Sequence, residues 1–299
     1  LYQRCVELDP AFAPAWARLG RCHRVIGKFI ESAPESVTLA EQAFRRALEL
    51  NPRLTIAHKF YANFEADVGQ APRAVARLVR EATRHGNDPE LFAGLVHACR
   101  YCGLNEESIA ADAEARRLDP NVLTSVEETL LMHGSLDRIL AKPAGTRVER
   151  ADDSVRMIAL GLAGRRSEAV QELDAILQMP LIPTFGSWGT YIRAWLEGRP
   201  KDMLGSLDHL SHLKIQEDPE ALFLQAWMLC DVGEHERGLD LLESAVSRSY
   251  FVTPTLSARQ FDALRDVPRF QSLLADAEAG RQMALQAFRA AGGDRLLGR

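Results

Sequence analysis

The strongest constraint on the fold is a pattern of small and large apolar residues that recurs along the chain. In its clearest copy the apolar residues recur at helical spacing and the copy ends with a proline. Its members are Trp16, Leu19, Gly20, Ala40, Phe44, Ala47, Leu48, Leu50 and Pro52. Gly20 and Ala40 are predicted to lie where two helices cross too closely for a larger side chain. Pro52 is predicted to stop the second helix, because proline has no backbone N–H to donate. The pattern therefore predicts a pair of packed helices.

This pattern resembles the tetratricopeptide (TPR) repeat, a helix-turn-helix unit of about 34 residues. Further copies lie at residues 55–86, 89–120 and 219–250, and weaker helical pairs at residues 152–178 and 186–213. The resemblance implies an all-α fold, an α-solenoid of TPR-like repeats that forms a right-handed superhelix. No stretch alternates as a strand would, and we expect about thirteen to sixteen helices.

Two stretches depart from the regular repeat. Trp16 and Ala40 are about eight residues further apart than the repeat requires, and residues 33–36 are the expected place for a widened turn. Residues 122–133 are predicted to form one helix, and residues 136–140 a short partner helix. The period is weakest here, so the boundary between two sets of repeats is expected nearby.

Residues 142–147 are interpreted as a hinge between two halves of one solenoid. The first half, residues 1–142, contains the N-terminal TPR repeats, and the second, residues 143–299, contains degenerate repeats with a capping tail. Pro180 and Pro183 are expected to break the chain within the second half. The first repeat lacks its first helix, so we expect the sequence to be a piece of a longer protein.

Composition argues against several classes of function. The 299 residues carry a formal net charge of −5, whereas proteins that bind nucleic acids in general are usually basic. No apolar run reaches the roughly 18 residues that a membrane-spanning helix needs. The five cysteines show no regular framework, which fits a reducing compartment and predicts a cytoplasmic location.

The tail extends the family resemblance. It contains Tyr250, Phe251, Pro254, Phe261, Asp262, Ala263, Leu264, Arg265, Pro268, Arg269, Phe270, Leu273, Leu274, Phe288, Gly292 and Gly293. This ending resembles that of TPR arrays in bacterial signalling proteins with an N-terminal serine/threonine kinase, adenylate cyclase or winged-helix DNA-binding domain. Arg259-Gln260 departs from it, since such tails often have Asp-Pro there. The resemblance implies a protein–protein interaction scaffold that binds a partner or its own upstream domain.

Several chemical motifs have a simpler structural interpretation. Cys99 and Cys102 have the spacing of redox and zinc sites, but a second ligand pair is missing, and Cys99 falls on a buried position of the repeat. His209 and His212 share a helix face without a third ligand. The acidic pair Asp152-Asp153 is expected to begin a helix. Kinase motifs are missing from the sequence, so we expect no catalysis in this chain. Since no complete ligand set is indicated either, we expect no metal and no cofactor.

The best candidate site is the concave groove that the first helix of each repeat lines in TPR arrays. Its positions supply a basic stripe in the first half, formed by Arg21, Arg24, Lys59, Asn63, His97 and Arg100. Lys59 and Asn63 match the Lys-x-x-x-Asn pair of carboxylate-clamp TPRs, although His97 stands where such clamps tend to place a second cation. The stripe predicts an acidic peptide or protein partner. A solvated basic face without a ligand is the alternative.

The equivalent positions of the second half are apolar: Trp188, Ile192, Phe223 and Trp227. Phe223 and Trp227 are candidate contacts for a partner helix, or for self-association, although packing within the solenoid explains them equally well. An alternative function is a ligand-sensing domain that regulates an attached kinase, cyclase or DNA-binding domain. A convergent polar pocket with perturbed titratable groups would favour that alternative.

Overall fold

The computed structural model describes residues 1–31, 33–86, 88–141, 150–253 and 255–298, with only the backbone described at residues 150–153 and 209. These residues form helices and no strand, which confirms the predicted all-α class. The α-helices are α1 Tyr2–Leu8, α2 Ala13–Phe29, α3 Ser36–Leu50, α4 Thr55–Asp67, α5 Ala71–Arg84, α6 Pro89–Tyr101, α7 Asn105–Leu118, α8 Val126–His133, α9 Leu136–Leu140, α10 Arg150–Leu162, α11 Arg166–Leu177, α12 Pro183–Leu196, α13 Pro200–Ser206, α14 Pro219–Asp231, α15 His235–Ser247, α16 Pro268–Ala290 and α17 Gly293–Leu296.

Four short 3-10 helices accompany them, at Asp208–Leu210, Lys214–Glu217, Thr255–Ser257 and Arg259–Leu264. The seventeen α-helices of the described residues exceed the sixteen expected, because α1, α9, α13 and α17 are each seven residues or shorter. None of the helices in this part of the chain combines the length and the apolar character needed to cross a membrane.

Neighbouring helices pack as pairs, and the pairs pack in series. α2 packs on α3, α4 on α5, α6 on α7, α10 on α11, α12 on α13 and α14 on α15. In addition, the even-numbered helices from α2 to α12 contact one another in turn. One layer of helices therefore runs along one side of the series, here called the inner side, and carries the groove positions predicted for the first half.

The predicted crossing of α2 and α3 is confirmed. A Cβ atom on Gly20 would lie 2.8 Å from the ring of Phe44 and 3.1 Å from the carbonyl oxygen of Ala40. Ala40, Phe44 and Ala47 are fully buried, and α3 ends at Leu50, two residues before Pro52. The repeat pattern in the sequence was therefore sufficient to predict this contact.

The eight-residue insertion is distributed over three places and not confined to the predicted turn. α2 has 17 residues where α4 has 13, so four of the extra residues lengthen a helix. The connection between α2 and α3 is three residues longer than that between α4 and α5, and α3 is one residue longer than α5. Ser36 begins α3 and packs against Gly27, where a Cβ atom would lie 2.0 Å from the Ser36 hydroxyl oxygen. The longer α2 thus carries Lys28 onto the inner face.

Two predicted boundaries need correction. α8 begins at Val126 and not at residue 122, because Thr124 is held outside the helix by hydrogen bonds to Asp112 and from Arg116. The interruption predicted at Pro180 and Pro183 is confirmed between α11 and α12, but the next helix begins at Pro183 and not at residue 186, as expected for a proline at the first helical position. The short helix α9 is confirmed at Leu136–Leu140. The hinge predicted at residues 142–147 lies outside the described residues, and the division into two halves stays a prediction.

The C-terminal helices return to the N-terminal ones. α16 and α17 pack on α5, and the 3-10 helix Lys214–Glu217 packs on α2. The amide of Phe251 donates a hydrogen bond of 2.9 Å to the carbonyl of Tyr101. Gly103, with φ +68°, fits this contact, since a Cβ atom there would lie 1.8 Å from the carbonyl oxygen of Phe251. The return places the start of α14 against the inner faces of α2, α4 and α6.

Candidate functional site

A buried network of charges lies where α14 meets the inner faces of α2, α4 and α6. The inner helices supply three cations and one carboxylate, and the first residues of α14 supply two more carboxylates. The members are Arg24, Lys28, Asp67, Arg100, Asp218 and Glu220, joined by the hydroxyl groups of Tyr101 and Tyr250. The predicted basic stripe is therefore partly neutralised by acidic residues of the same chain.

Lys28 joins two carboxylates from different parts of the sequence. Its Nζ atom lies 3.0 Å from Asp67 Oδ1 and 2.7 Å from Asp218 Oδ2, and Arg24 also pairs with Asp67. Asp218 accepts two further hydrogen bonds, at 3.2 Å from the Tyr101 hydroxyl and at 2.9 Å from the amide of Ala221. The second of these caps the N-terminus of α14, so one side chain both begins the helix and fixes it to α2.

Arg100 holds Glu220 in a two-point ion pair. Its Nε atom lies 2.6 Å from Glu220 Oε1, and its Nη2 atom lies 3.1 Å from Oε2. Nη1 donates to the carbonyl and hydroxyl oxygens of Ser125 at 2.9 and 2.8 Å, and the Tyr250 hydroxyl donates to Glu220 at 2.9 Å. Arg100 is only 1% exposed. Such two-point pairs fix geometry as well as charge.

Burial and the neighbouring charges shift the ionisation of these groups in opposite directions. Burial alone would raise the pKa of Asp67, but the charges of Arg24 and Lys28 outweigh it and hold the pKa well below its ordinary value. Burial raises the pKa of Asp218 to about 6, against the charge of Lys28 and with the help of Asp67 and Glu220. Asp67 is thus a permanent anion of the network, whereas Asp218 titrates close to neutrality.

His97 lies at the edge of the same network. Burial, helped by the charge of Arg100, lowers the pKa of His97 well below its ordinary value, so the ring is neutral. Its Nδ1 atom accepts a hydrogen bond of 3.2 Å from Arg100, which leaves the proton on Nε2. That Nε2 atom and the Oδ1 atom of Asn63 are buried without a hydrogen-bond partner among the described residues. Both are predicted groove residues.

The other predicted cations, Lys59 and Arg21, lie outside the network. Lys59 pairs with Glu90 at 2.6 Å and also donates to the carbonyl of Leu123 at 3.2 Å. Arg21 is exposed, and its guanidinium lies 5.3 Å from the centre of the Phe60 ring. As folded, Arg21 is the cation of the stripe that a partner could reach most directly, whereas Lys59 is 15% exposed, about the same as Arg24 at 16%. The assignment of Arg21 and Lys59 to a partner stays a prediction.

The predicted apolar groove of the second half is covered by the chain itself. Phe223 and Trp227 are at most 5% exposed and pack against Phe261, with ring centres 6.2 and 6.5 Å away. The indole of Trp227 donates to Gln260 at 3.2 Å, which gives the departure at Arg259-Gln260 a structural role. A partner helix could reach these rings only if the tail moved.

Sequence reasoning missed the acidic members of the network. In the sequence, Asp218 directly precedes Pro219 and has the features of an ordinary helix cap only. Lys28, the cation that pairs with it, follows Arg24 by one helical turn. The positions of Lys28 and Asp218 are 190 residues apart in the chain. Lys28 could have been found from its i+4 spacing to Arg24, but nothing local to either residue indicates the pairing with Asp218.

The motifs with simpler interpretations keep them. Cys99 and Cys102 are free and fully buried, which confirms their prediction as core residues, and burial raises the pKa of both thiols. The shared helix face predicted for His209 and His212 is wrong, because His209 lies in the 3-10 helix Asp208–Leu210 and His212 in the turn after it. His212 is exposed, and the side chain of His209 lies outside the described residues. In the part of the chain that the structure describes, no cluster of three or more His, Cys, Asp or Glu side chains could hold a metal ion.

One cleft adjoins the candidate site, and a second lies among the helices of the second half. One of about 260 Å³ lies directly beside the network and is lined by Arg24, Lys28 and Asp67 together with Lys214, Glu217 and Arg248. The other, of about 650 Å³, lies between α12, α13, α14 and α15.

In comparisons with known proteins, the chain matches no protein family, and no curated protein is significantly similar to it in sequence.

Proposed function

We propose that the chain is a TPR-type α-solenoid, a right-handed superhelix that acts as a non-catalytic scaffold for protein–protein interaction. The spacing of the helices supports this interpretation. α6 begins 34 residues after α4, and α7 begins 34 residues after α5. In the pairs α4–α5, α6–α7 and α14–α15, the second helix begins 16 residues after the first. The TPR repeat has this period of about 34 residues.

The observation that carries the function is the binding of carboxylates on the inner face of α2, α4 and α6. Lys28 and Arg100 hold Asp218 and Glu220, which come from a separate segment. A face that binds acidic side chains within the chain has the chemistry to bind an acidic segment of a partner. The partner is a protein or peptide, or the chain's own upstream domain in a bacterial signalling protein. Five free cysteines support a cytoplasmic location.

Binding of a labelled peptide tests this proposal. A nine-residue glutamate-rich peptide should bind the chain, and Lys59→Ala or Arg21→Ala should each weaken it several-fold, because Arg21 is an exposed cation of the stripe and Lys59 a partly exposed one. Raising the salt concentration to about 0.5 M should have a similar effect. Lys201→Ala, an exposed lysine on α13, is the matched control. Affinity that ignores both substitutions and salt would contradict a groove for acidic partners.

The larger cleft favours a second candidate, a ligand-sensing regulatory domain. Its apolar wall includes Tyr191, Met203 and Leu207, and the amides of Gln216 and Gln225 lie in it. The Nε2 atom of Gln216 is buried without a hydrogen-bond partner among the described residues, so it is available to a ligand. A ligand found in a thermal-shift screen should raise Tm, and Leu207→Trp, which fills the cleft, should abolish the shift.

A further inference from the structure

We infer that the acidic segment 217–220 is an internal pseudo-ligand: the chain fills its own site for acidic segments, and a partner binds by displacing it. The inference rests on the proposed function, since it assumes that the inner face of α2, α4 and α6 is where a partner binds. It adds how that site is regulated and which kind of segment it accepts.

Charge balance is the first argument. Without the start of α14, Arg24 and the buried Lys28 would share the one carboxylate of Asp67, and the buried Arg100 would keep the nearby charge of Glu128 but lose its hydrogen-bonded carboxylate. Asp218 and Glu220 supply the negative charges that hydrogen-bond directly to Lys28 and Arg100. A buried cation that loses its paired carboxylate is costly, so the face favours two carboxylates at these positions. In this structure they come from the chain itself.

The geometry of the segment defines what a competitor must contain. Asp218 is the N-cap of α14 and Glu220 lies in its first turn, with Pro219 between them. The two carboxylates thus project from the N-terminus of a helix, two residues apart in the sequence. A partner that replaces both internal carboxylates at once is therefore a segment with an Asp-x-Glu pair at the start of a helix.

The surroundings allow such an exchange. The smaller cleft opens beside Lys28, and its rim includes Lys214 and Glu217, whose ion pair is 37% and 51% exposed. The next residues of α14 are firmly held, since Phe223 is 1% exposed among Tyr250, Trp227 and Phe261. Exchange is expected at the first turn of α14, while the rest of the helix stays in place.

The test uses the full chain and a fluorescein-labelled peptide with the sequence of residues 214–222. In the wild type the internal segment competes at the high effective concentration of a tethered ligand, so binding should be weak. The double variant Asp218→Asn with Glu220→Gln removes both internal charges, while Asn keeps an oxygen to cap α14. It should bind the peptide at least tenfold more tightly. Adding Arg100→Gln to it should abolish this gain.

The matched control removes the same two charges from the surface. Glu236→Gln with Asp262→Asn changes side chains that are 85% and 68% exposed, and should leave peptide affinity at the wild-type value. Amine labelling followed by mass spectrometry gives a second measurement. Lys28, buried in the wild type, should be labelled at least fivefold faster in the double variant and protected again by the peptide. Exposed Lys201 should be labelled equally in all samples.

Each outcome decides one question. Equal peptide affinity in wild type and double variant, or unchanged labelling of Lys28, would overturn the pseudo-ligand inference and leave the proposed function standing. Exposure of Lys28 without any peptide binding would contradict the proposed function itself. If the double variant does not fold, Glu220→Gln alone replaces it, because Asp218 then still occupies Lys28. That variant should bind the peptide more tightly than the wild type, and equal affinity would again overturn the inference.

Discussion

Removal of one partner from the Arg100–Glu220 ion pair should strongly destabilise the protein. Arg100 is 1% exposed, and Glu220 is its carboxylate partner at 2.6 and 3.1 Å. Glu220→Gln takes away the charge that balances the buried guanidinium and one of the two acceptor oxygens. We expect a loss of about 3–5 kcal/mol in the free energy of unfolding, the range typical of breaking a buried pair from one side.

Removal of both partners should cost less than this. Arg100→Met with Glu220→Leu takes out the buried charge together with its counter-charge, and such replacements are often neutral in other proteins. Here the oxygens of Ser125 and the hydroxyl of Tyr250 would lose their partners, at about 1 kcal/mol for each hydrogen bond. The loss in the double variant should therefore be smaller than the sum of the two single losses by at least about 2 kcal/mol, which is the signature of direct coupling.

Urea denaturation followed by circular dichroism measures these differences. A complete double-mutant cycle is needed, with Arg100→Met and Glu220→Leu also measured singly. The control Glu236→Gln removes a carboxylate that is 85% exposed beside Arg269 and should leave the transition unchanged. Additive losses, with a coupling energy below about 0.5 kcal/mol, would refute the buried pair as the contact that fixes α14 to α6.

Three further predictions concern packing and ionisation. Gly103→Ala should cost more than about 3 kcal/mol, because its Cβ atom would lie 1.8 Å from the Phe251 carbonyl oxygen, whereas Gly164→Ala, with φ +80° and open space around it, should cost only about 1–2 kcal/mol in thermal unfolding. Asp218 has a folded pKa of about 6 against an ordinary 3.8, so its ionisation destabilises the fold above pH 6 and this cost disappears as pH falls through 6 towards 4. In urea titrations, the free energy of unfolding of the wild type relative to that of Asp218→Asn should therefore rise by about 1–2 kcal/mol when the pH is lowered from 7.5 to 5. A difference that does not change with pH would contradict the raised pKa. Ala40→Leu should overpack the crossing with Gly20 and cost roughly 1–3 kcal/mol, and an unchanged Tm would show that the crossing is looser than described.

The parts of the fold that were predicted from sequence depend on local spacing. Gly20 on α2 and Ala40 and Phe44 on α3 occupy the positions where the repeat pattern predicts two crossing helices, and the structure brings them together. The short helix α9 was likewise predictable, since its apolar residues are bounded by turn residues on one side. Helical periodicity predicts each helix, and the repeat pattern predicts which adjacent helices cross, so these features lie within a single repeat.

Contacts between distant segments were not predictable in the same way. The start of α8 depends on hydrogen bonds of Thr124 to side chains of α7, and the network depends on the return of α14 to α2 and α6. The basic stripe itself was recognised, including Arg24 and Arg100, but not that Asp218 and Glu220 of the same chain neutralise part of it. A repeat pattern gives the face of each helix and leaves open how far the series curves back on itself.

The amide of Phe251 tests the central claim, that the chain closes over its own inner face, most directly. This amide donates to the carbonyl of Tyr101 and so joins the end of α15 to the end of α6. Hydrogen exchange measured by NMR should find it protected to a degree similar to the amides within α6. Exchange at the rate of an open loop, while the amides of α6 and α14 remain protected, would mean that the groove is open and would contradict the account.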